Sequence, residues 1–215
     1  MVMPMLTAPA FAADEASTNK LTPQMTYVNY SNADTALGYI ESGSTAASGY
    51  NNFNNGTIGM GNTGWGVNYI IYLKLDESGI TDNIISAALS MDVSGTTDNK
   101  RNGTYGAVNI AYTDWDDSLT YSIANANGML SGTQAGDTVT TSTKSSSVFE
   151  TKTIDITGAL KNDDDKVLTI AIYETAAGGG YIKNPSVEVK HSSSAGYTVA
   201  YSVYGIESTE TVVRG

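Results

Sequence analysis

Apolar and polar residues alternate with a period of two along stretch after stretch of this chain, and no window shows a sustained helical period. In "VNYIIYLKL" the residues Val67, Tyr69, Ile71, Leu73 and Leu75 share one side. In "IISAALSMDV" the shared side carries Ile85, Ala87, Leu89, Met91 and Val93, opposite Ser86, Ser90 and Asp92. The pattern returns at Val108, Ile110 and Tyr112, at Ile154 and Ile156, at Leu168, Ile170 and Ile172, and at Val187 and Val189. Successive side chains on a strand point to opposite faces, so each stretch predicts a strand with one buried side. The only helical hint is a turn or so within "TGALKN" (157–162).

Loops rich in Gly, Asn and Ser separate these stretches, at 42–56, 94–106, 124–137 and 175–181. Short strands joined by such loops, with no helices to cover a parallel sheet, predict an all-β chain: an antiparallel two-sheet β-sandwich. Jelly-roll connectivity is the expected arrangement, with an immunoglobulin-like Greek key as its competitor. At 215 residues there is room for one such domain and a fragment of a second.

The ends read differently from the middle. Residues 1–13 are uncharged and close on Ala10-Phe11-Ala12, the small-x-small pattern of a secretory cleavage site, so export is expected. Residues 14–25 read as a polar leader and 26–192 as the sandwich module. Residues 193–215 begin with a flexible linker and continue as the start of a following immunoglobulin-like or repeat module, or as a last strand of the same sandwich.

Charge narrows the partners. With 22 acidic against 11 basic residues the formal net charge is -11, and no basic stripe exists to displace phosphate counterions. Nucleic acid and anionic membrane surfaces are disfavoured, and no stretch approaches the ~18 apolar residues of a membrane-spanning helix. Cysteine is absent, which removes disulfides, thiolate metal sites and a cysteine nucleophile. One histidine, His191, in a "KHSSS" linker makes zinc improbable.

"YTDWDDSLTY" (112–121) gathers Asp114, Asp116 and Asp117 around Trp115. A glycosidase sets two carboxyls about 5–9.5 Å apart across a cleft. Here strand alternation would split the carboxylates between faces, with Leu119, Tyr121 and Ile123 continuing as core, so a strand-end role is favoured over catalysis. No Gly-x-Ser-x-Gly elbow occurs.

Taken in order, "YLKLDESGITDNIISAALSMDV", "YTDWDDSLTYSIANA", "TIDITGAL" and "VLTIAIYET" resemble the secreted β-sandwich modules of the family named for the sequence DNRLRE. The matching pieces are Leu75-Asp76, Ala87 to Leu89, Trp115 to Tyr121, and Asp155-Ile156-Thr157, with Asp and Tyr standing where that family has Glu and a second Trp. The resemblance spans residues 27–190 and implies a bacterial carbohydrate-binding or adhesive accessory module rather than an enzyme. It places Trp115 in packing at the sandwich edge.

Trp65, flanked by glycines in "GNTGWGVN", is the expected sugar platform, helped by Tyr50 and Asn52 in the long first loop, Tyr105 in a later loop, and Tyr181 and Lys183 in "GGGYIKNP". Asp34, Glu41 and Asp76 are the candidate oxygen ligands should the sandwich hold calcium, while "KNDDDK" (161–166) lacks EF-hand spacing and reads as a solvated turn. The expected function is therefore non-catalytic glycan binding by a monomeric module of a secreted or cell-surface protein. A stalk or adhesin module that spaces domains or grips a protein is the alternative, and a hydrolase using paired carboxylates the third reading.

Overall fold

The computed structural model describes residues 16–60, 69–80, 83–96, 101–175, 179–192, 197–203 and 206–212. The alternating stretches become the long strands. In chain order the strands are β1 (Ala16–Leu21), β2 (Gln24–Asn29), β3 (Thr45–Ala47), β4 (Asn51–Asn54), β5 (Thr57–Met60), β6 (Tyr69–Asp76), β7 (Asn83–Ser94) and β8 (Thr104–Ile110). After helix α1 (Tyr121–Ala126) come β9 (Thr133–Gln134), β10 (Val139–Thr140) and β11 (Phe149–Asp155); after α2 (Thr157–Lys161) come β12 (Val167–Glu174), β13 (Tyr181–Ser192), β14 (Tyr197–Val203) and β15 (Ile206–Val212).

Two antiparallel sheets pack face to face, as the strand pattern requires. The first runs β1-β13-β7-β11, with β3 also on β13; the second runs β10-β8-β12-β6-β2, with β9 also on β8. From β6 onward each long strand lies in the sheet opposite its predecessor: β6 in the second, β7 in the first, β8 in the second, β11 in the first, β12 in the second, β13 in the first. The connections thus cross between sheets in jelly-roll fashion. Between the sheets lies the main core, with Ile71, Leu73 and Leu75 of β6, Leu89, Met91 and Val93 of β7, Ile170 and Ile172 of β12, and Val187 and Val189 of β13.

A second apolar cluster covers the outer face of the second sheet. Val28, Ile70, Tyr72, Val108, Ile110, Ala171 and Tyr173 project there and are roofed by Ile58, Trp115, Leu119, Ala124 and Met129. Strands β6, β8 and β12 are therefore buried on both faces, which explains why Ile70, Tyr72 and Ala171 are apolar in positions where simple alternation would put polar residues.

Three expectations change here. The "YTDWDDSLTY" segment is not a strand: residues 112–118 form a loop and turn, and α1 follows, its first turn capped by Thr120, whose hydroxyl accepts from the Ile123 amide at 3.1 Å. A β-strand cannot continue there because the segment crosses the sheet as its roof, and Ile123 faces outward at 40% exposure. Residues 16–21 of the expected leader are an edge strand, paired along its length with β13 from Ala16↔Ser192 to Leu21↔Val187. His191 is buried within β13 instead of lying in a linker. The tail pairs with itself, β14 on β15 from Tyr197↔Val212 to Val203↔Ile206, as a separate two-stranded sheet. Residues 1–13, expected to be a signal, lie outside the described residues.

Candidate functional site

Trp115, the hub of the acidic motif, is a roof beam. Its indole is 5% exposed. The ring N–H donates to the Thr169 hydroxyl at 2.9 Å, and the Lys74 ammonium sits 5.5 Å from the ring centroid while donating to the Trp115 carbonyl at 2.7 Å. The three aspartates around it all lie on the exposed side of the turn. Asp116 accepts from the Ser118 amide at 2.8 Å and from its hydroxyl at 2.5 Å, which holds its carboxyl below the usual carboxylate range. A general acid needs the opposite shift, so Asp116 is set up to hold its turn and not for that role.

The proposed sugar contacts separate on inspection. Tyr105 is corrected: it belongs to β8, is fully buried in the main core, and spends its hydroxyl on the Ser94 carbonyl at 2.8 Å, leaving no ring face for a ligand. Lys183 is half-buried, with its ammonium 4.1 Å from the Phe149 ring centroid. That cation–π contact occupies it on the sheet it springs from. Trp65 lies outside the described residues.

Tyr50 and Tyr181 lie near one end of the sandwich. The segment 48–51 bridges the two sheets there. Ser48 donates its amide to the Gly180 carbonyl at 2.9 Å, on the first-sheet side. Gly49 donates to the Tyr69 carbonyl at 3.4 Å, and the Asn51 side-chain amide donates to the same carbonyl at 2.5 Å, on the second. Tyr50 bridges to Glu174 at the end of β12, and Tyr181 is fixed by its amide donating to the Ser94 hydroxyl at 3.0 Å.

Two further aromatic residues join them: Tyr69, which the alternation placed among strand core, and Tyr27, which the sequence reading did not single out. Tyr27 and Tyr69 meet edge to face at 5.0 Å between ring centroids, and neither ring is fully buried. Burial, then the neighbouring Tyr27 and Tyr181 hydroxyls, raise the Tyr69 pKa above the ordinary phenol value. Half-exposed Tyr27, Tyr50, Tyr69 and Tyr181 thus come from four separated places in the chain. The signal available beforehand was the excess of 14 Tyr over 3 Phe, since a ring with a polar tip suits a site that is half wet. The segment 61–68 that carries Trp65 leaves from Met60, which pairs with Asn51, and returns at Tyr69. Asn52 is exposed on β4 opposite Gly59, where a Cβ would approach its side-chain oxygen to 2.5 Å.

The calcium candidates do not converge. Asp34 accepts from the Ser122 hydroxyl of α1 at 2.5 Å, Asp76 caps its own turn by accepting from the Ser78 amide at 2.9 Å, and Glu41 is exposed in the loop before β3. Among the described residues no three acidic or histidine side chains are grouped to hold a metal. Two carboxylates that the sequence reading did not single out are fully buried, Glu77 and Glu174.

No family model matches the chain, and no curated protein matches it. The resemblance to the DNRLRE-type modules therefore rests on the quoted motifs alone. Among solved structures, the cleaved adhesin domain of Lys-gingipain from Porphyromonas gingivalis aligns with 84% of this chain and 99% of its own length, at 11% sequence identity and a TM-score of 0.33. A likeness at that score carries no functional argument. No helix among the described residues is long and apolar enough to cross a membrane.

Proposed function

We propose that the chain is a non-catalytic carbohydrate-binding module of a larger secreted or cell-surface bacterial protein. The observation that carries this reading is the gathering of half-exposed Tyr27, Tyr69 and Tyr181 at one end of the sandwich, where Tyr50 is held by its backbone bridge to Glu174. Sugar rings present C–H faces to aromatic rings and hydroxyls to amides and phenols, and this end of the molecule offers both. Each aromatic platform adds roughly 0.5–1.5 kcal/mol beyond area burial. That corresponds to about two- to tenfold in affinity per ring, so a single module binds weakly and gains strength through neighbours.

Affinity electrophoresis of the full chain against soluble plant and host polysaccharides tests the proposal. Retardation by at least one glycan is expected, reduced by Tyr181→Ala, by Tyr50→Ala and by Trp65→Ala. A panel that leaves migration unchanged throughout would count decisively against it. The alternative, a stalk or adhesin module, draws support from the self-paired β14–β15 ribbon, which forms a sheet of its own. Binding of a protein ligand in the absence of any glycan binding would favour that reading.

A further inference from the structure

Glu77 sits in the turn that leaves β6, its amide donating to the Lys166 carbonyl at 2.9 Å and its carbonyl accepting from the Ile80 amide at 2.7 Å. The residue is 0% exposed, and neither carboxylate oxygen has a hydrogen-bond partner. Burying a carboxylate without donors is among the most unfavourable arrangements a fold can contain. The groups its charge feels are Asp163, Lys166 and Asp165, all on the "KNDDDK" turn before β12. Asp163 also has a buried carboxylate oxygen, Oδ2, with no partner. Asp165 accepts from the Val167 amide at 3.1 Å and from the Thr113 hydroxyl at 3.2 Å, and its side chain also hydrogen-bonds that of Asp163. The ammonium of Lys166 does not supply the missing partner, because the residue is exposed and makes no ion pair with Glu77.

We propose that Glu77 and Asp163 bind one calcium ion, clamping the turn after β6 to the turn before β12. Two carboxylates on turns joined by the Glu77 amide to the Lys166 carbonyl, with three buried oxygens that lack partners, call for a cation, and calcium suits this place better than magnesium or zinc. It accepts six to eight oxygens in irregular geometry, so turn carbonyls and water complete a shell to which only two acidic side chains contribute. Zinc would want nitrogen or sulfur ligands, and magnesium a near-ideal octahedron. The site is distinct from Asp34, Glu41 and Asp76, and lies apart from the tyrosine cluster: Glu77 follows the last residue of β6, whereas Tyr69 begins that strand. Without the ion, burial and the neighbouring Asp163 push the Glu77 carboxyl up to about 7.

The test uses the full chain stripped with EGTA, then titrated calorimetrically with calcium chloride and, separately, magnesium chloride, with thermal melts in parallel. One calcium per chain is expected, with a rise in Tm and a weaker response to magnesium. Loss of even an outer-shell partner costs a metal site roughly 10- to 100-fold, so Glu77→Gln and Asp163→Asn should each weaken calcium binding by at least about tenfold. Asp164→Asn, on the exposed side of the same turn, should bind as the unaltered chain does. The proposal is overturned if the stripped chain shows neither heat nor a Tm shift at millimolar calcium, including the case where it is stabilised by protons alone as pH falls. It is equally overturned if Asp164→Asn loses as much affinity as Asp163→Asn, a comparison that stands even if Glu77→Gln does not fold.

Discussion

Replacing Trp115 with Phe tests whether the roof over the second sheet is held by a specific bond or by bulk alone. The indole N–H is the donor to the Thr169 hydroxyl at 2.9 Å, and Thr169 is fully buried in the middle of β12. Phe keeps an aromatic ring under the roof but leaves that hydroxyl with no donor and no water. An orphaned buried polar group costs about 1–3 kcal/mol. The lost half of the indole, against Tyr72 at 6.4 Å between centroids, adds about 1 kcal/mol of cavity and transfer cost. Trp115→Phe should therefore destabilise by about 2–4 kcal/mol. Adding Thr169→Val removes the orphan while keeping the shape, and should return about 1–2 kcal/mol, since replacing both partners of a buried bond by apolar groups approaches neutrality. Urea unfolding followed by far-UV circular dichroism reads both numbers without depending on tryptophan fluorescence. With a slope of roughly 2 kcal/mol per molar urea, the single variant shifts the midpoint by about 1–2 M. The reasoning fails if Trp115→Phe costs under about 0.5 kcal/mol, or if Thr169→Val makes it worse instead of better.

Glu150 accepts from the Ser142 amide and hydroxyl, the Thr143 amide and the Lys152 ammonium at 2.9 Å, and its pKa falls to about 2. A carboxylate depressed below its unfolded value of about 4.3 contributes stability that is present above that value and lost as pH falls towards 2; Glu150→Gln should flatten the decline of Tm across this window. Gly132→Ala would bring a Cβ within 2.1 Å of the Asn109 carbonyl oxygen, a backbone atom, so a loss of about 1–3 kcal/mol is expected in urea titration. Gly158→Ala in α2 meets nothing within 4 Å and should instead gain about 0.5–1 kcal/mol. Tyr105→Phe should lose about 1 kcal/mol of stability, through its bond to Ser94, with glycan retardation unchanged; a selective loss of retardation would return Tyr105 to the binding site.

How far the sequence reached depended on whether burial was one-sided. Strands β7 and β13 show one polar face, so Leu89, Met91, Val187 and Val189 could be placed in the core from period alone. The roof could not be read that way. Trp115, Leu119, Ala124 and Met129 are spread through a polar loop and a six-residue helix, too short to display a period, and nothing local says which outer sheet face they cover. Strand β1 escaped notice because it is an edge: its residues are mostly exposed, and only the register with β13 makes "ASTNKL" a strand. Tyr105 was misplaced because tyrosine serves equally as a core residue with a satisfied hydroxyl and as a ligand platform, and Gly106 beside it looked like loop. In the structure Gly106 is needed because a Cβ there would lie 2.2 Å from the Tyr173 ring. Glu77 was hidden among the acidic turns, since nothing in "LDESGI" distinguishes the exposed Asp76 from the buried Glu77.

Strand β13 sets the order in which this molecule can be assembled. It is the partner of β1 and of β3, and it lies between β1 and β7 in the first sheet. A chain emerging from its N-terminus must hold β1 and β3 unpaired, and one long edge of β7 open, until residues 181–192 arrive. Pairings that span most of the sequence close slowly, because the entropy of the loop is lost before the contacts form. Completion of the sandwich is therefore deferred until residues 181–192 have been made, and any truncation before Tyr181 removes the partner of two strands at once while leaving an edge of β7 free to pair with another chain.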